Sequence, residues 1–336
     1  MTPNDQAAEQ RVTLIVPTVY SRARLFNRVL RYFSESGFGC PIIVSDHSSV
    51  EHVGIIAEIA GRYGLLNLKL LQHSTDLHFL ERLSLCATAA TTPYVHLHAD
   101  DDFVLRPMLA RLVNEMDGKS DCAAAMGINL HVSFANRDVV VLPKGEIAQA
   151  VAFDRLVAQL ETYSSVLYAL RRRDEFIASM TFATKRCPDV QFWQYLESCV
   201  AVLAGTVEVL EDLHYVREQH LQKWSATLVR ERSSDHFPYL ILSPEFGPRV
   251  TAFRAALIEV CRDRGIAVDE AVLDDGMVHL LYRGMATMGL PAKRFAASDP
   301  MATASRIEAR FANKADSATV ALTRIFAFAQ ESTRRS

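Results

Sequence analysis

The chain has 336 residues, 49% of them hydrophobic, and its charge is nearly balanced, with a formal net charge of -3. This is enough apolar material to bury a sizeable core without staples, and the absence of a uniform positive field argues against a general nucleic-acid binder. Six scattered cysteines without a Cys-x-x-Cys pair exclude the usual zinc and disulfide frameworks and fit a reducing cytoplasm.

The opening MTPNDQAAEQ lacks the charged start and apolar run of a signal peptide, and no stretch reaches the ~18 apolar residues of a membrane span. Any membrane association would be peripheral, at the inner face. Arg11 to Thr18 (RVTLIVPT) predicts a strand buried on both faces. A helix capped by Ser21 follows, with Leu25, Phe26, Val29, Leu30 and Phe33 on one face, and it breaks at Gly37 and Gly39. Pro41 to Ser45 predicts a second strand ending at Asp46, about Val50 to Tyr63 a second helix, and Leu68 to Leu71 a third strand. A helix over about Leu77 to Ala90 leads into a fourth strand, Tyr94 to Ala99, which ends at three aspartates. Alternating strands and helices imply a parallel sheet, whose ligands bind beyond the carboxyl ends of its strands.

Beyond a helix at about Arg106 to Met116, Cys122 to Val132 and Val139 to Leu142 read as two strands that extend the sheet, partly antiparallel. Helical patterns dominate from about Ile147, interrupted by a short strand at Thr206 to Leu210. The polar stretch Arg230 to Asp235 is the expected boundary between a catalytic domain over 1–230, with a donor half at about 11–120 and an acceptor half at about 121–230, and a helical region over 231–336.

The strongest chemical feature is His98-Ala99-Asp100-Asp101-Asp102-Phe103. Three adjacent carboxylates at a strand end repel one another unless a cation or basic groups neutralise them. Mg²⁺ or Mn²⁺ accepts one or two carboxylates and fills its other positions with water and phosphate oxygens. A solvated acidic turn is the plainer alternative for the run taken alone. His96 and His98 share a face with Asp100 and read as core residues rather than as a separate metal site. Arg171-Arg172-Arg173, the one dense basic cluster, reads as a solvated face, or else as a contact for an anionic acceptor or lipid headgroups.

Val16-Pro17-Thr18, Ile43-Val44-Ser45-Asp46-His47-Ser48-Ser49 and the strand feeding Asp100-Asp101-Asp102 occur in the order and spacing of family 2 glycosyltransferases. Over about residues 11 to 110, and loosely over 160 to 225, the chain resembles a bacterial subset of that family with an ADDDF form of the D-x-D motif. The resemblance implies an α/β GT-A fold, a Rossmann-like nucleotide-diphospho-sugar transferase with a mixed sheet flanked by helices and a mainly helical C-terminal region. It implies inverting transfer from a nucleotide-sugar donor to a bacterial glycan, lipid-linked or protein acceptor, with Mn²⁺ or Mg²⁺ as cofactor.

Carried over by position, Pro17 and Thr18 would line the nucleotide pocket and Asp46 would read the base. Asp102 would be the direct metal ligand, with Asp100 a second ligand nearer the ribose and Asp101 behind them. Arg82 matches the family's basic position approximately, without the asparagine that usually follows, and His47 replaces the usual glycine. Arg217 would reach the diphosphate and His220 would be a third metal ligand. A general base is also required, and a carboxylate is the common solution. Asp189 and Glu197 are the two candidates, Glu197 slightly favoured because Phe192, Trp193 and Leu196 would hold it rigid.

Two rivals stand beside this reading. A nucleotidyltransferase would normally carry a glycine-rich phosphate loop after the first strand, where this chain has Val19-Tyr20-Ser21-Arg22-Ala23-Arg24. A non-catalytic glycan-binding or scaffold protein would have little use for an intact triple aspartate. The C-terminal helices leave room for an acceptor site or a homodimer contact, between which the sequence does not choose.

Overall fold

The computed structural model describes residues 2–134, 138–142, 145–163, 165–187, 192–218, 244–286 and 317–334. Helix α1 (Pro3–Glu9) is closed by a capping box between Thr2 and Asp5, and precedes β1 (Val12–Thr18). There follow α2 (Ala23–Glu35), β2 (Ile42–Asp46), α3 (Val53–Gly61), β3 (Leu68–Gln72), α4 (Phe79–Ala89) and β4 (Tyr94–Leu97). A two-residue β5 (Phe103–Val104) begins directly after the aspartates, and α5 (Arg106–Gly118) follows. The second half runs β6 (Cys122–Ser133), β7 (Asp138–Leu142), α6 (Ala152–Thr162), β8 (Leu170–Arg172), α7 (Arg173–Arg186), α8 (Trp193–Ala204) and β9 (Thr206–Glu218). The remaining described helices are α9 (Phe246–Asp263), α10 (Glu270–Ala286) and α11 (Ser317–Arg334). The boundary expected at Arg230 to Asp235 lies outside the described residues.

The strands form one mixed sheet in the order β3-β2-β1-β4-β8-β6-β9-β5, with β7 paired to β6. β1, β2, β3 and β4 are parallel, as the alternating pattern requires, and β8 turns the sheet antiparallel on both its sides. Each face of the parallel part is covered. Phe26, Val29, Leu30 and Phe33 of α2 pack with residues of α5 on one side, and residues of α4, α7, α8 and α9 fill the other. Phe26 and Phe33 are fully buried, and each such side chain contributes about 1.5–3 kcal/mol relative to exposure. Gly37 ends α2 at φ +68°, the left-handed geometry that glycine adopts without penalty. Among the described residues no helix is long and apolar enough to cross a membrane.

Several features depart from the sequence reading: α2 begins at Ala23 with no side-chain cap, so Ser21 does not cap it, and β8 interrupts the stretch read as helical. The strand expected to stop at Leu210 continues to Glu218, because β6 and β5 hydrogen-bond to it along that extension. Gly127 allows the close approach this needs, since a Cβ there would lie 2.3 Å from the Asp212 carbonyl oxygen. The arginine cluster is also not a solvated face. Arg171 is fully buried and ion-paired with Glu197, and Arg172 donates to the backbone oxygens of Cys122, Met116 and Lys119 at 2.9, 3.0 and 3.1 Å.

Candidate active site

Strands β1, β2 and β4 end side by side, so Thr18, Asp46 and the acid run meet at one edge of the sheet. Thr18 is the register partner of Asp46, and its Oγ1 donates to Asp100 Oδ2 at 2.8 Å. The β1–β4 pairing has already stopped at Ile15. Pro17, which has no N–H to offer, therefore sits where the ladder on that side is finished.

Asp46 is fully buried. Its Oδ1 accepts from the Ser48 N–H at 2.9 Å and the Ser48 hydroxyl at 2.5 Å, while the Ser48 oxygen accepts from the Tyr20 N–H at 2.8 Å. Its Oδ2 is buried without a hydrogen-bond partner. Nearby, Tyr20 and His52 stack with ring centroids 3.8 Å apart. Arg82 is buried with its Nε unpartnered, its guanidinium lying 5.3 Å from the Phe79 ring centroid. Burial holds its pKa below the usual arginine value, with the Cys86 thiol and Asp46 opposing.

The acid run is neutralised in part by a residue that the sequence reading passed over. Arg22, at the start of α2, donates from Nε to Asp100 Oδ1 at 2.6 Å and places its second nitrogen 2.5 Å from Asp101 Oδ2. Burial raises the Asp100 pKa, and Arg22 and Thr18 oppose the shift. Asp102 is differently placed. Its Oδ1 accepts from the Glu218 N–H at 2.9 Å, whereas Oδ2 is buried without a hydrogen-bond partner. Burial first, and the Asp101 charge second, raise the Asp102 pKa to about 7, against the pull of Arg217, the Glu218 N–H and the nearby Tyr215 hydroxyl.

The extension of β9 beside β5 brings Arg217 and Glu218 to this edge. Arg217 lies 5.5 Å from the Tyr168 ring centroid, and its charge reaches Asp102. Beneath the run, His96 and His98 are fully buried. His96 Nε2 stands 3.0 Å from His214 Nε2 on β9, and burial pushes the pKa of His98 down to about 3. They are core groups, in line with the sequence reading.

Glu197 is enclosed on α8, with its carboxylate against Arg171 and a 3.3 Å hydrogen bond from the Ser198 hydroxyl. It has no exposed surface, so in this conformation an acceptor hydroxyl could not reach it. The rigidity that favoured Glu197 as base is thus that of an interior ion pair. Asp189 and His220 lie outside the described residues.

Among the described residues no three His, Cys, Asp or Glu side chains converge as a metal cage. A hard divalent ion that keeps water and phosphate ligands does not need one. The unpartnered, buried Asp102 Oδ2 fits such an ion; Asp100, the other carboxylate expected to ligate it, is tied to Thr18 and Arg22.

No family model matches the sequence, and no curated protein is detectably similar to it. Solved structures are similar in fold. Residues 1–349 of S. aureus TarS, in complex with UDP-GlcNAc, align with a TM-score of 0.53 at 17% identity over 82% of this chain and 72% of that one. The fold is that of the GT-A glycosyltransferases. A longer S. aureus TarS chain aligns with a TM-score of 0.51 at 16% identity, over 89% of this chain and 50% of that one.

Proposed function

We propose that this protein is a metal-dependent glycosyltransferase of the family 2 type, moving a sugar from a nucleotide-sugar to a bacterial glycan or glycoconjugate with inversion. The observation that carries the reading is the Asp102 carboxylate, buried with an unpartnered oxygen at the carboxyl edge of a GT-A sheet. Burying a carboxylate is costly unless it is well compensated; Arg22 is spent on Asp100 and Asp101, and the Arg217 charge offsets the burial of Asp102 only in part.

Asp102 and Asp100 would hold Mn²⁺ or Mg²⁺, with His220 a further donor. The ion would supply electrostatic stabilisation of charge on the departing diphosphate. The chain's own residues do the rest. Thr18 and Pro17 bound the nucleoside, and Asp46 offers Oδ2 to the base or ribose while Ser48 fixes its other oxygen. Arg82 supplies a positive charge beside Asp46, and Arg217 can fork onto phosphate oxygens. We assign removal of the acceptor proton to Asp189, because Glu197 is engaged with Arg171.

The reading is tested by thermal shift with UDP, GDP and CMP, with and without Mn²⁺, followed by a donor-hydrolysis screen across nucleotide-sugars. Metal-linked stabilisation by one nucleotide is the expected result, and its absence for all of them would remove the proposal. Asp46→Asn keeps an acceptor for Ser48 but loses the charge on the second oxygen. It is expected to weaken nucleoside diphosphate by about 1.5–3 kcal/mol, roughly ten- to a hundred-fold in Kd, with metal preference unchanged.

The raised pKa of Asp102 has a signed consequence. Its protonated form is favoured by folding, so its contribution to metal-free stability falls as pH rises from its unfolded value near 3.8 to about 7. Metal binding needs the ionised form, so Mn²⁺-linked nucleotide affinity should weaken by up to about tenfold per pH unit below 7 and level off above 8. Titration calorimetry in buffers of different ionisation enthalpy should detect release of up to one proton at pH 6 and little at pH 8.5.

A further inference from the structure

Helix α11 is remote in sequence from the acid run but packs against the elements that hold it. Phe328 lies 5.8 Å from Tyr32 and 6.1 Å from Phe103 by ring centroids, in edge-on arrangements. Tyr32 and Phe103 meet edge-on at 5.0 Å, and the Tyr32 hydroxyl donates to the Val104 carbonyl oxygen at 2.9 Å. Arg31 places its guanidinium 4.6 Å from the Phe328 centroid. These edge-on ring contacts add directional packing to area burial, and together they hold β5, which begins one residue after Asp102.

One helical turn before Tyr32 is Arg28, whose side chain is only 10% exposed. Its guanidinium lies 5.2 Å from the Phe103 centroid. One of its nitrogens donates to the Asp101 carbonyl oxygen at 2.8 Å and also to the Glu218 carboxylate. The backbone N–H of that same Glu218 donates to Asp102 Oδ1 at 2.9 Å. Arg28 therefore spans the gap between the acid run and the end of β9, the two segments between which Asp102 is held. A ligating carboxylate has to be held within about 0.5 Å of its working position by its supporting contacts. A run of three aspartates needs such restraint more than most, since repulsion between them favours opening.

We propose that α11 is a positioning element of the donor site: Phe328, through Tyr32 and Phe103, keeps Arg28 bridging Asp101 and Glu218, and this bridge sets where Asp102 sits. The proposal rests on the reading of Asp102 as the metal ligand, but its central claim concerns the placement of a loop. It can be measured without any ligand.

The test uses the full chain with Arg28→Gln, Arg28→Lys and Phe328→Ala. Amide hydrogen exchange is followed in peptides that contain Asp101–Phe103 and Glu218, and the dissociation constants of UDP and GDP are measured with Mn²⁺. In Arg28→Gln and Phe328→Ala, exchange at Asp101–Phe103 and Glu218 is expected to quicken at least about tenfold, the scale of one lost charge-assisted hydrogen bond. Exchange in β1 and β2 should stay at wild-type rates, and the Mn²⁺-linked dissociation constant should rise by a similar factor. Arg28→Lys keeps a charged donor but loses the planar guanidinium that lies by the Phe103 ring, and should fall between wild type and Arg28→Gln.

Wild-type exchange at Glu218 in both variants would overturn the proposal whatever the nucleotides do. So would a uniform loss of protection across the sheet, which would make Phe328 and Arg28 ordinary stability residues. Local quickening in a protein whose wild type shows no Mn²⁺-linked binding of UDP, GDP or CMP would support the tether and remove the transferase reading instead.

Discussion

Replacing Asp102 with asparagine is expected to abolish metal-linked nucleotide binding and to lower donor turnover by at least about a hundred-fold, the scale for losing one element that stabilises charge developing in the transition state. Asparagine is nearly isosteric and retains an acceptor for the Glu218 N–H, which now bonds Asp102 Oδ1. The fold should therefore survive. The metal-free melting temperature at pH 8 should even hold or rise, because the wild-type carboxylate is ionised there against its burial. Asp102→Ala should match the loss of binding but also leave the Glu218 N–H without its acceptor. Thermal shift with and without Mn²⁺, beside donor hydrolysis, separates these effects. Wild-type metal response in Asp102→Asn would move the metal site elsewhere.

The elements that place Asp102 were largely readable in advance. The runs LIV and IIV, the apolar stripe of α2 and the break at Gly37 specify β1, α2 and β2 by local pattern. The aspartates at a strand end mark the carboxyl edge where ligands bind in such sheets. What escaped the sequence is of another kind. Arg22 meets Asp100 across 78 residues, and nothing local in Tyr20-Ser21-Arg22 points to that partner. Glu211-Asp212-Leu213-His214 looks like the end of a strand, yet the neighbouring β6 and β5 carry the ladder on to Glu218. Tertiary context overrides propensity most easily in strands.

Three consecutive arginines look solvated by composition, and only the fold shows that Arg171 faces Glu197 on α8. The same burial bears on the choice of base, because it encloses Glu197 with Arg171 in this conformation. Phe192, Trp193 and Leu196 are buried as their apolar character implies, but α8 is buried on all sides from Leu196 to Leu203, so Glu197 is enclosed as well. A side chain held rigid by core residues is for that reason often out of a substrate's reach.

The two candidate bases are therefore expected to separate cleanly. Glu197→Gln removes the counter-charge of Arg171 while both side chains remain fully enclosed. Breaking one partner of a buried pair costs about 3–5 kcal/mol, so the melting temperature should drop by several degrees. The kcat of the folded protein should stay near wild type. Exchanging the whole pair for Arg171→Met with Glu197→Leu removes the stranded charge and should restore much of the lost stability, with activity retained. Asp189→Asn should do the opposite. A general base acts only in the chemical step, so its loss should depress kcat by at least about 100-fold while the donor dissociation constant and melting temperature stay near wild type. Melting curves, single-turnover kinetics and donor affinity on the same three proteins decide the matter. If the Arg171→Met, Glu197→Leu protein were stable but inactive, the base would be Glu197 after all, reached through a rearrangement that frees it from Arg171.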